Sequence, residues 1–176
     1  MFLEGLISTA WQSWAHFCRD VVIDSCLGST TSAGVSFAGC VTPLSWERVS
    51  YLAMQASNKS TPKVGLTNSE FRKEPTWGDV QKLQLIVAAL NPHNQNTLIS
   101  SFSASTFIKH VHIVRNAAAH RDRQTFGEVL RLVPFYAAYP LRHPVESTLW
   151  LDGNQQQPAF LFWLDEMRLV GELAIK

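Results

Sequence analysis

Residues 105–139 read STFIKHVHIVRNAAAHRDRQTFGEVLRLVPFYAAY, and this stretch decides the fold class. It is the longest continuous run with apolar residues at three-four spacing, the mark of an amphipathic helix. Ser105 or Thr106 is placed to open it. The charged run Arg121–Thr125 is the expected break, with helix resuming before Phe126. Pro134 predicts a kink or a second break, because proline lacks the amide hydrogen a helix interior needs.

The same period appears at the start of the chain. Phe2, Leu3, Leu6, Ile7, Ala10, Trp11, Trp14, Phe17, Cys18, Val21 and Val22 form a stripe that predicts one helix over 2–27, stopped by Gly28. Residues 28–43 are small, rich in Gly, Ser and Thr, and end in proline, so they predict a long loop. A helix is expected over about 44–56, with Ser45 or Thr42 as cap and Glu47 in its first turn. Residues 57–77 predict a second long loop with one helical turn near Thr67–Phe71. Helices follow over 79–90, closed by Asn91-Pro92, and over 94–102. The tail predicts a short strand at Ser147–Leu151 and a last helix over 158–174. No repeat or linker divides the chain, so residues 1–176 are expected to form a single all-α domain, a helical bundle with two long loops.

Composition narrows the function classes. The chain has 176 residues, 46% apolar and 16% charged, with a formal net charge of +1. The low charged share favours an oligomer that hides part of its surface. A sequence pI near 7.8 is not that of a protein that coats nucleic acid, so any phosphate grip must come from a local cluster. Cys18, Cys26 and Cys40 are odd in number and fit neither a zinc nor a CxxC spacing. Buried structural thiols are the expectation. No run approaches the roughly 18 apolar residues of a membrane span. The first residues carry Glu4, no basic segment and no leader-like apolar run. A cytoplasmic protein without a membrane role is expected.

One segment carries chemistry: HIVRNAAAHRD, residues 112–122. Asn116 and His120 are four apart, one turn along a helix, and three alanines leave room for a backbone or phosphate to approach. Arginine offers a permanent forked cation that matches phosphate. Histidine moves protons near neutral pH, and asparagine orients it or donates to an oxyanion. In RNA the neighbouring 2′-OH is an internal nucleophile, so this set needs neither metal nor cofactor. Arg115, Asn116 and His120 are therefore the candidate catalytic residues. His112, three and four residues before Arg115 and Asn116, and Arg121 and Arg123 beyond the histidine are the candidate substrate contacts. For these three, a capping role or a solvated helix end is the alternative. The histidines show no pairing suited to a metal.

These residues carry a resemblance. The segment is similar to the HEPN superfamily motif: Arg, commonly a polar residue, then His after four to six residues. Here the matching residues are Arg115, Asn116 and His120. The AHRD ending is closer to the RNase-like, defence-associated branch than to the HepT-like branch, which has a tyrosine where this chain has Asp122. The resemblance implies a four- to five-helix bundle that forms a homodimer with the two motifs facing. It also implies a metal-independent endoribonuclease, a toxin or anti-phage effector, leaving 2′,3′-cyclic phosphate and 5′-OH ends. Such a protein has RNA as substrate and admits an antitoxin or other regulatory protein as partner. The alternative is a non-catalytic HEPN module for dimerisation or for nucleotide or RNA binding.

Overall fold

The computed structural model describes residues 2–57, 74–154 and 156–176. The chain is all-α. Seven α-helices are present among the described residues: α1 (Phe2–Leu27), α2 (Trp46–Ser57), α3 (Val80–Leu90), α4 (Gln95–Phe102), α5 (Ile108–His120), α6 (Arg123–Leu130) and α7 (Ala159–Ala174). Two 3-10 segments, Val133–Phe135 and Pro144–Leu149, follow α6. The two-residue strands β1 (Tyr136–Ala137) and β2 (Leu151–Asp152) pair antiparallel, Tyr136 opposite Asp152. The helical turn expected near Thr67–Phe71 lies outside the described residues.

The helices form where apolar period and caps agree. In α1 the buried side chains Ile7, Trp11, Trp14, Cys18, Val22 and Cys26 recur every three or four residues, while Phe2 is exposed. Gly28 ends the helix at φ +100°, and a side chain there would crowd the backbone of Phe37 and Gly39. Ser45 caps α2 by accepting the Arg48 amide at 3.3 Å. Asp79 caps α3 by accepting the amides of Gln81 and Lys82. Trp11, Trp14, Trp77, Trp150 and Trp163 are core residues.

The chain's contacts gather into two compact units. Residues 1–14 and 105–169 form one, and 15–104 with 170–176 form the other. In the second, the Glu74 carboxylate accepts from Arg19 Nε at 2.8 Å and Nη2 at 3.0 Å, from Ser50 Oγ at 2.6 Å and from Trp77 Nε1 at 2.8 Å. Burial alone would raise the Glu74 pKa. The bonds from Arg19, Ser50 and Trp77 outweigh it and hold the carboxylate below its ordinary value.

In the first unit, a buried polar chain links three elements. Trp163 Nε1 donates to the Tyr136 hydroxyl at 2.7 Å, and that hydroxyl meets His110 Nδ1 at 2.6 Å. Indole can only donate, so the hydroxyl accepts from Trp163, and the same hydroxyl shares a hydrogen bond with His110 Nδ1. The strand expected at Ser147–Leu151 is instead mostly the 3-10 helix Pro144–Leu149, and only Leu151–Asp152 is extended. Local bonding explains the difference. His143 Nδ1 accepts the Val145 amide, and Glu146 Oε2 accepts the amides of Arg142 and His143. Ser147 and Thr148 hydroxyls donate back to the carbonyls of Pro144 and Val145. These bonds favour a helical turn over a ladder.

Candidate functional site

The candidate residues lie on α5 and the turn that follows it. The helix buries Ile108, His110, Val111, Val114, Ala117 and Ala118 along one side. That phase leaves Arg115 and Asn116 half-buried and His120 exposed at the last turn. Arg115 Nη1 donates to Asn116 Oδ1 at 3.3 Å. Among the described residues no carboxylate lies within ion-pair distance of Arg115. The guanidinium is thus steadied by a neutral amide and keeps its charge available. Arg115 and His120 are five residues apart, so they point about 140° from each other around the helix. A single copy brings Arg115 to Asn116 but does not turn Arg115 toward His120.

The break after His120 falls within the expected run. Arg121 closes α5 in a left-handed conformation, φ 52°, with its amide donating to Ala117 O. Glycine is the usual residue at such a position, and a side chain there costs about 1 kcal/mol. Asp122 returns to extended backbone and caps α6, accepting the Thr125 amide at 2.8 Å. That bond, first among several, holds the Asp122 carboxyl below its ordinary value.

The three expected substrate contacts have different surroundings. The His112 ring stacks flat on Trp11, with centroids 4.6 Å apart and planes within 3°, so one of its faces is taken. Arg121 Nη2 donates to Glu4 Oε1 at 2.9 Å, and His143 Nε2 lies 3.3 Å from the same oxygen. Arg123 is exposed. Arg121 and Arg123, with Asp122, line a pocket of about 360 Å³ that Phe126, Arg142, His143 and Pro144 complete. Among the described residues neither Arg123 nor Arg142 has a carboxylate within ion-pair distance.

Arg142, His143 and Phe126 were not singled out by sequence reasoning. The local signal at 143–146 is a helix cap with proline at its first position. It says nothing of a neighbour twenty residues upstream.

His110 has another character. It is buried, and burial, with a smaller repulsion from Lys109, lowers its pKa to about 4. It is a neutral core residue at pH 7. Cys18 and Cys26 are buried, and no cysteine is in a disulfide. Among the described residues no three of His, Cys, Asp and Glu gather as a metal site, and no helix is long and apolar enough to cross a membrane.

No family model, curated protein or solved structure matches this chain.

Proposed function

We propose that this protein is a metal-independent endoribonuclease whose active site forms between two copies, each supplying Arg115, Asn116 and His120. The observation that carries the reading is the pairing of an exposed histidine at the end of α5 with an arginine-lined pocket in the very next residues. A chain of net charge +1 concentrates cation there, which is what a local grip on phosphodiester requires.

The chemistry follows from the residue types. The 2′-oxygen attacks phosphorus, the P–O5′ bond breaks, and a 2′,3′-cyclic phosphate and a 5′-OH remain. One His120 takes the 2′-OH proton, and His120 of the second copy gives a proton to the departing 5′-oxygen. Arg115 stabilises the charge that grows on the phosphoryl oxygens, and Asn116 holds Arg115 in place. The roughly 140° between Arg115 and His120 on one helix is the reason for a second copy. Leu130, Val133 and Phe135, exposed within one short stretch, supply apolar surface for such contact.

The biological setting in this reading is a cytoplasmic toxin or anti-phage effector, held in check by an antitoxin or regulatory protein. The test is to incubate the protein with single-stranded RNA in EDTA and to analyse the new ends. Cyclic phosphate and 5′-OH ends are expected. Ends carrying 3′-OH, or activity abolished by the chelator, would overturn the mechanism. Light scattering that finds a monomer, with no cleavage, would turn the reading to a binding module.

A further inference from the structure

The pocket after α5 has a composition of its own. Arg121 is already committed to Glu4. Arg123 and Arg142 are exposed and, among the described residues, without an ion-pair partner. They arrive from separate elements, Arg123 from the first turn of α6 and Arg142 from just before the 3-10 helix. Two guanidiniums lining one cavity raise the local positive potential there, which attracts an anion. The one carboxylate lining the pocket, Asp122, is engaged by the Thr125 amide.

The backbone under this pocket is specially held. Arg121 takes the left-handed conformation that glycine would adopt more readily. Such strain on a non-glycine residue gathers at ligand sites. On the other element, Glu146 fixes the amides of Arg142 and His143. Both guanidiniums therefore start from ordered backbone. Phe126 is half-buried in the same lining, with Pro144 beside it. An aromatic face beside paired arginines suits a base and its phosphate together. About 360 Å³ is at the small end of ligand pockets, the size of one nucleotide rather than of a long polymer.

We infer that this pocket binds a single nucleotide unit, its phosphate held by Arg123 and Arg142 and its base against Phe126. The unit is either a free nucleoside monophosphate or one residue of an RNA strand. The inference stands without the cleavage reading. Combined with it, the pocket seats the nucleotide next to the scissile phosphate, and Arg142 and Phe126 join the substrate contacts.

The test uses the full chain and three probes that it cannot cut: AMP, adenosine, and a short 2′-O-methyl oligoribonucleotide. Calorimetric titration should find AMP or the oligonucleotide binding, with adenosine at least about tenfold weaker than AMP wherever AMP binds. The double variant Arg123→Gln/Arg142→Gln should bind at least about a hundredfold more weakly at unchanged Tm. For the oligonucleotide, the slope of log affinity against log salt should fall by roughly 0.7 per arginine removed. AMP binding alone identifies a free nucleotide as the ligand, and oligonucleotide binding alone identifies the strand. The inference is overturned if neither probe binds at millimolar concentration, if adenosine binds as well as AMP, or if the double variant binds as the wild type does. Probes that bind to a protein that never cuts RNA leave the pocket standing and remove the cleavage reading.

Discussion

His110 and His120 are ten residues apart on one helix, yet they sit in opposite environments. His110 is buried, hydrogen-bonded to Tyr136 and held neutral. His120 is exposed at the last turn, followed by a left-handed arginine and a charged pocket. His112, between them, is stacked on Trp11. The helical phase that buries Val111, Val114 and Ala117 decides which histidine serves the core and which is left exposed to solvent. The same side chain is structural at one end of α5 and available for chemistry at the other.

A large expected effect tests the proposed reactive end. Arg115→Ala should reduce RNA cleavage by about 10²–10³ without moving Tm, since losing one transition-state donor costs that much. Arg115→Lys should fail to restore it, because an ammonium keeps the charge and loses the fork. Activity retained in both variants would remove Arg115 from the site.

The buried end should show the reverse pattern, with stability lost and chemistry spared. Tyr136→Phe takes the hydroxyl from both Trp163 and His110. The two groups left unpaired should lower stability by about 2–3 kcal/mol, read from chemical denaturation. Cleavage by the folded fraction should be unchanged. An unaltered stability would show that the buried chain contributes nothing.

A pH series sharpens the contrast further. The folded state keeps His110 neutral down to about pH 4, whereas the unfolded chain protonates near 6.5. Between those values the unfolded state binds the extra proton, so stability falls as pH drops through this window and levels off below it. The contribution is roughly 2 kcal/mol, allowing for partial solvent screening. Comparing denaturation of the wild type and His110→Gln at pH 7 and pH 4.5 isolates it. Equal losses in the two proteins would exclude His110 as the cause.

The smallest effect lies at the turn. Arg121→Gly relieves the left-handed strain and loses an exposed ion pair to Glu4, two small terms of opposite sign. Relief of the strain should outweigh the exposed ion pair, so a small rise in Tm is expected. A large loss of stability would mean that the Arg121–Glu4 contact holds the fold.

Much of this arrangement was legible in residues 2–27 and 105–130. The stripe from Phe2 to Val22, the stop at Gly28 and the cap at Ser45 are local signals, and α1 and α2 follow them, whereas the caps Asp79 and Asp122 show only in the structure. The break after His120 was legible because the apolar period stops there. The environments were not. Glu4 meets Arg121 across 117 residues, and Arg142 reaches the α5–α6 turn by a path that no periodicity encodes. The 3-10 helix at Pro144–Leu149 was missed because its short alternation resembles a strand, while side-chain bonds from His143, Glu146, Ser147 and Thr148 decide the local outcome.

The most direct test of the account is the rate of RNA cleavage by His120→Ala set beside that of His110→Gln, each corrected for its folded fraction. Loss of the exposed histidine should reduce cleavage by about 10²–10⁴, the usual share of general acid–base catalysis, with no change in fold or oligomeric state. Loss of the buried one should leave the rate per folded molecule unchanged. A folded His120→Ala protein that cuts RNA at the wild-type rate would contradict the assignment of the active site to the end of α5.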